Sequence, residues 1–295
     1  MMQKIQIIFS LLRNFFPTSR PRFWRYVLGS YYVGLVAWAG FLQLWDMWHI
    51  FTFQSIWFFL YFSYPANLLI YGVNDIFDYE TDKHNPKKQD YEWLITPEKQ
   101  QLLRFVIAWL NIPFLFLSIL PNTWSYIRLF IFLWSSLFYS APPIRAKARP
   151  ILDTIVSALV YIAPWYVWYY LSGWSHFSWF VSLALLARNM AMHAYSAIPD
   201  IEADSMANIS TVATLYGKKG TLIFCIACYM LSIICSLPYL WWFSIVWWLV
   251  YIVMMIVSFS GNLFRLYTFF PWINWIIWFL LFRYIVMLKI QFIHI

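Results

Sequence analysis

An all-α fold that crosses a membrane repeatedly is predicted by three features of this chain. Hydrophobic residues fill 63% of its 295 positions and charged residues only 11%, with a mean hydropathy of +0.64. Soluble domains carry roughly 25% charged residues. The apolar residues form runs of about 20, the length that spans a hydrocarbon core of about 30 Å. Lysine and arginine collect in alternate connections between those runs, as expected of a polytopic protein. The expected architecture is one transmembrane domain over residues 1–295, about nine helices enclosing a central cavity.

In chain order, residues 1–22 read as an interfacial segment. Met1 to Phe16 combine a lysine with a short apolar stretch, as a signal peptide does. No small-residue cleavage site follows, and Arg13, Arg20, Arg22 and Arg25 come at once; a helix lying on the membrane fits better. Apolar windows then fall at 24–45, 50–73, 102–120, 125–141, 152–172, 177–198, 220–241, 242–260 and 270–290, the seventh and eighth blurring at Pro238. Trp and Tyr crowd their ends, as in interfacial belts. The polar connection 79–101 predicts a helical stretch opening at Thr96-Pro97-Glu98. Basic residues lie in the N-terminal segment (with Lys4), at Lys83, Lys87, Lys88 and Lys99, at Arg145, Lys147 and Arg149, at Lys218 and Lys219, and at Arg265. The opposite connections, near Asp46–His49, Pro121–Ser125, Ser172–His176 and Pro238–Leu240, carry none. This alternation places the N-terminus on the cytoplasmic side of an integral membrane protein.

Composition excludes other classes. The net charge of +8 reads as orientation and lipid contact. No basic stripe interleaves with aromatics in a polar context, so no nucleic-acid partner is expected. Cys225, Cys228 and Cys235 sit in one apolar run at helical spacing and read as small buried hydrophobes rather than as a redox or metal motif.

Two acidic clusters interrupt the oily background: Asn74-Asp75-Ile76-Phe77-Asp78-Tyr79-Glu80-Thr81-Asp82 and Asp200-Ile201-Glu202-Ala203-Asp204. They hold seven of the chain's twelve Asp and Glu residues, each at the end of an apolar run on the cytoplasmic side. Acids at a membrane border need positive compensation. On a regular helix Asn74, Asp75, Asp78 and Asp82 fall within an arc of about 100°. Asp200 and Asp204 likewise share a face, Glu202 points away, and Pro199 ends or kinks the helix before them. Asn189, His193 and Ser196 lie on or beside the same stripe. Facing carboxylate pairs suit magnesium, with manganese as an alternative ion, bridging the oxygens of a diphosphate. The plainer reading is solvated loop acids paired with nearby lysines.

Asn74-Asp75-x-x-Asp78-x-x-x-Asp82 and Asp200-x-x-x-Asp204 closely resemble the paired motifs of the UbiA superfamily of intramembrane prenyltransferases. The resemblance runs over roughly residues 20 to 220. It takes in Arg20-Pro21-Arg22-Phe23-Trp24, Tyr139-Ser140-Ala141-Pro142-Pro143-Ile144-Arg145-Ala146-Lys147 and Tyr195 to Asp204. Within the superfamily both acidic runs look most like the lycopene elongase branch, whose members add an isoprenyl unit to a carotenoid end. Asn208 departs from the glycine expected after the second motif. The resemblance implies transfer of a prenyl group from an isoprenyl diphosphate to a hydrophobic acceptor, with lycopene a candidate. Asn74, Asp75, Asp78, Asp82, Asp200 and Asp204 would bind metal and diphosphate.

Around that core stand residues with two readings each. Arg145 and Lys147 are candidates to neutralise the leaving diphosphate, against a topology signal alone; Lys218 faces the same choice, and Arg20 and Arg22 could reach the diphosphate or snorkel to headgroups. Tyr139 belongs to the resembling basic loop and is a candidate substrate contact. Asn189 and His193 are candidates for acceptor positioning or proton removal, against a polar contact between helices. Asp153 reads as a helix N-cap or as an orienter of a basic loop residue. A quinone-precursor ring, a tetrapyrrole or a lipid could replace the carotenoid. A cation transporter would place its acids near the midplane rather than beside basic loops at one border.

Overall fold

The computed structural model describes residues 2–38, 52–83, 94–117, 123–171, 178–261 and 263–293. Among them there is no strand. Helix α1 (Met2–Phe15) leads through turns at Pro17–Ser19 and Pro21–Phe23 into α2 (Trp24–Trp38). Then come α3 (Phe53–Phe77), the short α4 (Tyr79–Asp82), α5 (Pro97–Leu117), α6 (Thr123–Phe138), α7 (Leu152–Leu171) and α8 (Trp179–Ala197). The short α9 (Ile201–Met206), α10 (Val212–Leu240), α11 (Trp242–Ser260) and α12 (Leu263–Ile293) complete the chain. The described residues thus hold nine helices of 15 residues or more, one in each expected window, and the protein is a polytopic all-α membrane protein.

Among the described residues, four spans are individually long and apolar enough to cross a membrane: Phe53–Phe77, Val212–Leu240, Trp242–Ser260 and Arg265–Met287. The other long helices are shorter or carry polar groups that only the bundle satisfies. In α5, the Asn111 amide donates to the Pro65 and Ile107 carbonyls. In α3, Pro65 cannot donate to the preceding turn, and Asn67 Nδ2 donates to the carbonyls of Phe62 and Ser63 at 2.8 and 2.6 Å. Side-chain amides thus find backbone partners inside the bundle where water is scarce.

The expected start of the seventh span, residue 220, falls late. Thr211 caps α10 in a reciprocal box with Thr214, which begins the helix at Val212. Gly217 then breaks it at φ 63°, ψ 179°, a conformation glycine adopts without strain. The first turn of α10 therefore lies across a kink from the membrane helix proper.

Helices α2 and α7 form a shared wall. A Cβ on Gly34 would lie 2.6 Å from the Trp165 carbonyl oxygen, so glycine lets the two backbones meet. On one side of this wall α3 and α6 close a half-ring, with α5 outside α3; Phe58, Phe62, Phe132, Val27 and Val160 fill it. On the other, α8, α10, α11 and α12 lead round to α2 again, around Tyr195, Tyr229, Tyr251 and Phe270. Helix α1 lies against this body through buried Phe15, and the Tyr64 hydroxyl donates to the Leu12 carbonyl at 3.0 Å.

One charge is set into the second half-ring. Arg188 of α8 is 1% exposed and nine residues before the helix end, about 14 Å along the axis and near the middle of a core of about 30 Å. Its guanidinium donates to Asn274 Oδ1 at 2.8 Å, the Tyr251 hydroxyl at 3.1 Å and Asn189 Oδ1 at 3.2 Å. It lies 4.7 Å from the Trp278 ring centre and 5.6 Å from those of Trp248 and Tyr251. Ring faces and amide oxygens thus take the place of a carboxylate.

Candidate active site

The first acidic motif is not one regular helix. Helix α3 stops at Phe77, and Asp78 caps it at φ −108°, ψ 8° before α4 resumes at Tyr79. The hydrogen-bond chain nevertheless continues: Asp78 N–H donates to the Asn74 carbonyl at 2.9 Å, and Asp82 N–H to the Asp78 carbonyl at 2.8 Å. The bend divides the motif. Asn74 and Asp82 line the cavity, while Asp75 and Asp78 turn behind its surface.

Each inward acid meets a cation from a distant segment. Arg20 donates to Asp75 Oδ1 at 2.8 Å and lies 4.7 Å from the centre of the Tyr71 ring. Lys147 Nζ is 2.6 Å from Asp78 Oδ2, and Arg145 stands at 3.8 Å from its other oxygen. The Asn74 amide also donates to Asp78 Oδ2, and Ser140 Oγ lies 3.4 Å from it. Burial pushes the Asp78 carboxyl above the ordinary carboxylate range, against the pull of Lys147 beside it. Arg20 and Arg145 both hold left-handed backbone, φ 49° and 43°, which is uncommon outside glycine and clusters at functional sites.

The second motif is looser. Helix α8 ends at Ala197, a turn at Ile198–Asp200 containing Pro199 follows, and α9 carries Glu202 and Asp204 with no buried residue. Asp200 and Asp204 line the cavity and Glu202 does not. Asn208 ends α9 at φ 53°: its N–H donates to the Ser205 carbonyl and the Ile209 N–H to that of Asp204, at 3.1 and 2.8 Å. This is the left-handed position that glycine usually takes and asparagine tolerates, so the departure at Asn208 preserves the turn. Asp153 does not cap its own helix. It lies within the first turn of α7, 0% exposed, and Oδ2 accepts the Val212 N–H at 3.0 Å, capping α10 instead.

Between the motifs lies a cavity of about 230 Å³. Its lining joins the polar Arg20, Asn74, Asp82, Lys147, Asp200 and Asp204 to the rings of Phe23, Tyr26, Tyr71, Tyr161, Tyr267 and Phe270. Tyr139 and His193 line it as well. Other candidates from the sequence lie elsewhere. Asn189 is held by Arg188 and the Leu185 carbonyl, Arg22 lies over the Phe23 ring, and Arg145 is half-exposed; with Lys218, half-buried past the kink, they are outside the lining. Sequence reasoning missed Arg188, although a lone arginine inside an apolar window was a visible signal.

The bundle thus encloses a cavity lined by carboxylates, cations and aromatic rings together. The chain belongs to the UbiA prenyltransferase family, which residues 27–274 match, and it is a prenyltransferase. It is 38% identical to a lycopene elongase/hydratase of Haloarcula japonica, over 76% of this chain and 74% of that protein. It is 28% identical to a lycopene elongase/hydratase of Corynebacterium glutamicum, over 81% and 79%. A UbiA homolog from Archaeoglobus fulgidus, solved bound to GPP and Mg2+, superposes with a TM-score of 0.70 at 18% identity, covering 94% of this chain and 99% of that one.

Proposed function

We propose that the protein transfers the prenyl group of an isoprenyl diphosphate to the terminal double bond of an acyclic carotenoid such as lycopene, with a divalent ion, Mg2+ or Mn2+, at the acidic motifs. The observation that carries this reading is the mixed lining of the cavity, where Asn74, Asp82, Asp200, Asp204 and Lys147 meet six aromatic rings. Similarity to lycopene elongase/hydratases over about three quarters of the chain supports the acceptor.

The donor set fits the ion. Carboxylate and amide oxygens line the cavity from two sides, the hard ligands that magnesium takes. Among the described residues no three acids, histidines or cysteines converge into a ready-made ion site. Magnesium commonly completes its shell with substrate phosphates. Asn74, Asp82, Asp200 and Asp204 would hold it, and when bound it neutralises diphosphate charge and makes the group a better leaving group.

The chain's own residues do the rest. Lys147, already at the cavity surface, offers an ammonium to the departing diphosphate, with Arg20 in the same lining. Asp75 and Asp78 hold those cations in place from behind. The Tyr26, Tyr161, Tyr267 and Phe270 rings face the region where the allylic cation forms and stabilise it through their π faces. The acceptor double bond attacks that cation. The basic connections flanking both motifs support a cytoplasmic side for this chemistry.

Lipid extracts of a host making lycopene, with and without this protein, test the reading. Carotenoids heavier by one or two prenyl groups are expected. Unchanged lycopene beside a newly prenylated quinone precursor, tetrapyrrole or lipid would reassign the acceptor.

A further inference from the structure

The cavity holds a polar seam that the diphosphate chemistry leaves unused. The Tyr139 hydroxyl and His193 Nε2 are 3.1 Å apart, their rings edge to face, and both groups line the cavity. One turn before Tyr139 on α6, Ser136 also lines the cavity. Its residue is 2% exposed, and its Oγ is buried without a hydrogen-bond partner among the described residues. From the facing helix α7 comes Ser157, beside Val160 and Tyr161. A buried hydroxyl that faces a cavity and bonds to nothing calls for an ordered water, since such groups are rarely left unsatisfied. A volume of about 230 Å³ admits that water, each taking about 30 Å³.

We infer that Ser136, Tyr139 and His193 seat the water that ends the reaction, with His193 as proton acceptor. This rests on the carotenoid reading above. The donor's C1–O bond breaks, its electron pair leaving with the diphosphate. C1 bonds to the less substituted carbon of the acceptor's terminal double bond, which leaves the positive charge on the tertiary carbon. The oxygen of the seated water bonds to that carbon and its proton passes to the His193 imidazole, giving a tertiary alcohol. Without a held water the cation loses a neighbouring proton instead and an alkene results. The seam therefore decides alcohol against alkene. Tyr139, His193 and Ser136 share the cavity lining with the aromatic rings, which brings the water to the reacting carbons.

The test reads the ratio of alcohol to alkene within the elongated carotenoid, by mass spectrometry of extracts from a lycopene-making host supplied with H2(18)O. Wild-type protein is expected to give alcohol carrying (18)O from the labelled water. The ratio is expected to fall about tenfold in Ser136→Ala and about a hundredfold in His193→Gln, whatever the total yield. Ratios unchanged in both variants would overturn the proposal, as would wild-type protein that elongates but yields only alkene. Ser136→Ala removes one buried oxygen and keeps the fold; complete loss of elongated product from it would place Ser136 in carbon–carbon bond formation and also overturn the proposal. Wild-type protein giving no elongated carotenoid at all would instead sink the acceptor assignment.

Discussion

The two acidic motifs are built to opposite specifications. In the first, Asp75 and Asp78 are 2% and 0% exposed and each is locked to a cation from elsewhere in the chain. In the second, Asp200 and Asp204 are half-buried and Glu202 is exposed, in a turn and a six-residue helix that bury nothing polar. A carboxylate taken fully out of water needs a partner at once, because desolvation outweighs what distant charges return. One held at a cavity rim keeps its water until substrate displaces it. The first motif is therefore part of the fold as well as the site, and the second belongs mainly to the site.

Removing the metal should have the largest effect, because it acts on both motifs together. Exhaustive chelation of purified protein is expected to abolish turnover, with recovery on adding Mg2+; full turnover without metal would break the reading of both. Next comes Asp78→Ala, which strands the buried end of Lys147. It should abolish turnover and also destabilise the protein by about 3 kcal/mol, as breaking a buried pair does, seen as a lower apparent Tm in detergent. Asp200→Ala should cut turnover about a thousandfold with the Tm unmoved. Equal losses of Tm in these two variants would erase the contrast between the motifs. Arg145→Gln, half-exposed and 3.8 Å from Asp78, should slow turnover about tenfold. Glu202→Ala, off the cavity lining, should change turnover less than about twofold and stability by under about 0.5 kcal/mol. Damage there equal to that of Asp200→Ala would show that α9 presents another face to substrate.

What was legible in the sequence followed local rules. Windows of apolar residues located the long helices, Pro199 marked the break before Asp200, and alternate spacing separated Glu202 from Asp200 and Asp204. The bend at Asp78 was not legible, because nothing local forbids a helix through Asn74–Asp82, and its partner Lys147 lies 69 residues on (147 − 78). The Arg20–Asp75 pair spans 55 residues and was equally hidden. Asp153 misled for the same reason: a helix-start position invites the N-cap reading, but Val212 lies 59 residues away and claims the carboxylate. Among 69 aromatic residues (28 Phe, 21 Tyr, 20 Trp) no pattern picked out those on the cavity, since periodicity reports burial and not which buried face adjoins a void.

The Arg188 hub carries a consequence for how the chain is made. Its partners Tyr251 and Asn274 lie 63 and 86 residues downstream, in helices synthesised after α8. During synthesis α8 reaches the insertion machinery bearing a mid-span charge whose aromatic seat does not yet exist. Insertion alone disfavours arginine at a helix centre by about 2.5–3.5 kcal/mol. Helix α8 therefore has reason to wait beside the translocon until α11 and α12 arrive, and integration of the second half-ring becomes a concerted step. In chains halted before Asn274 a photo-crosslinker at the middle of α8 should capture the translocon, whereas in full-length chains it should not.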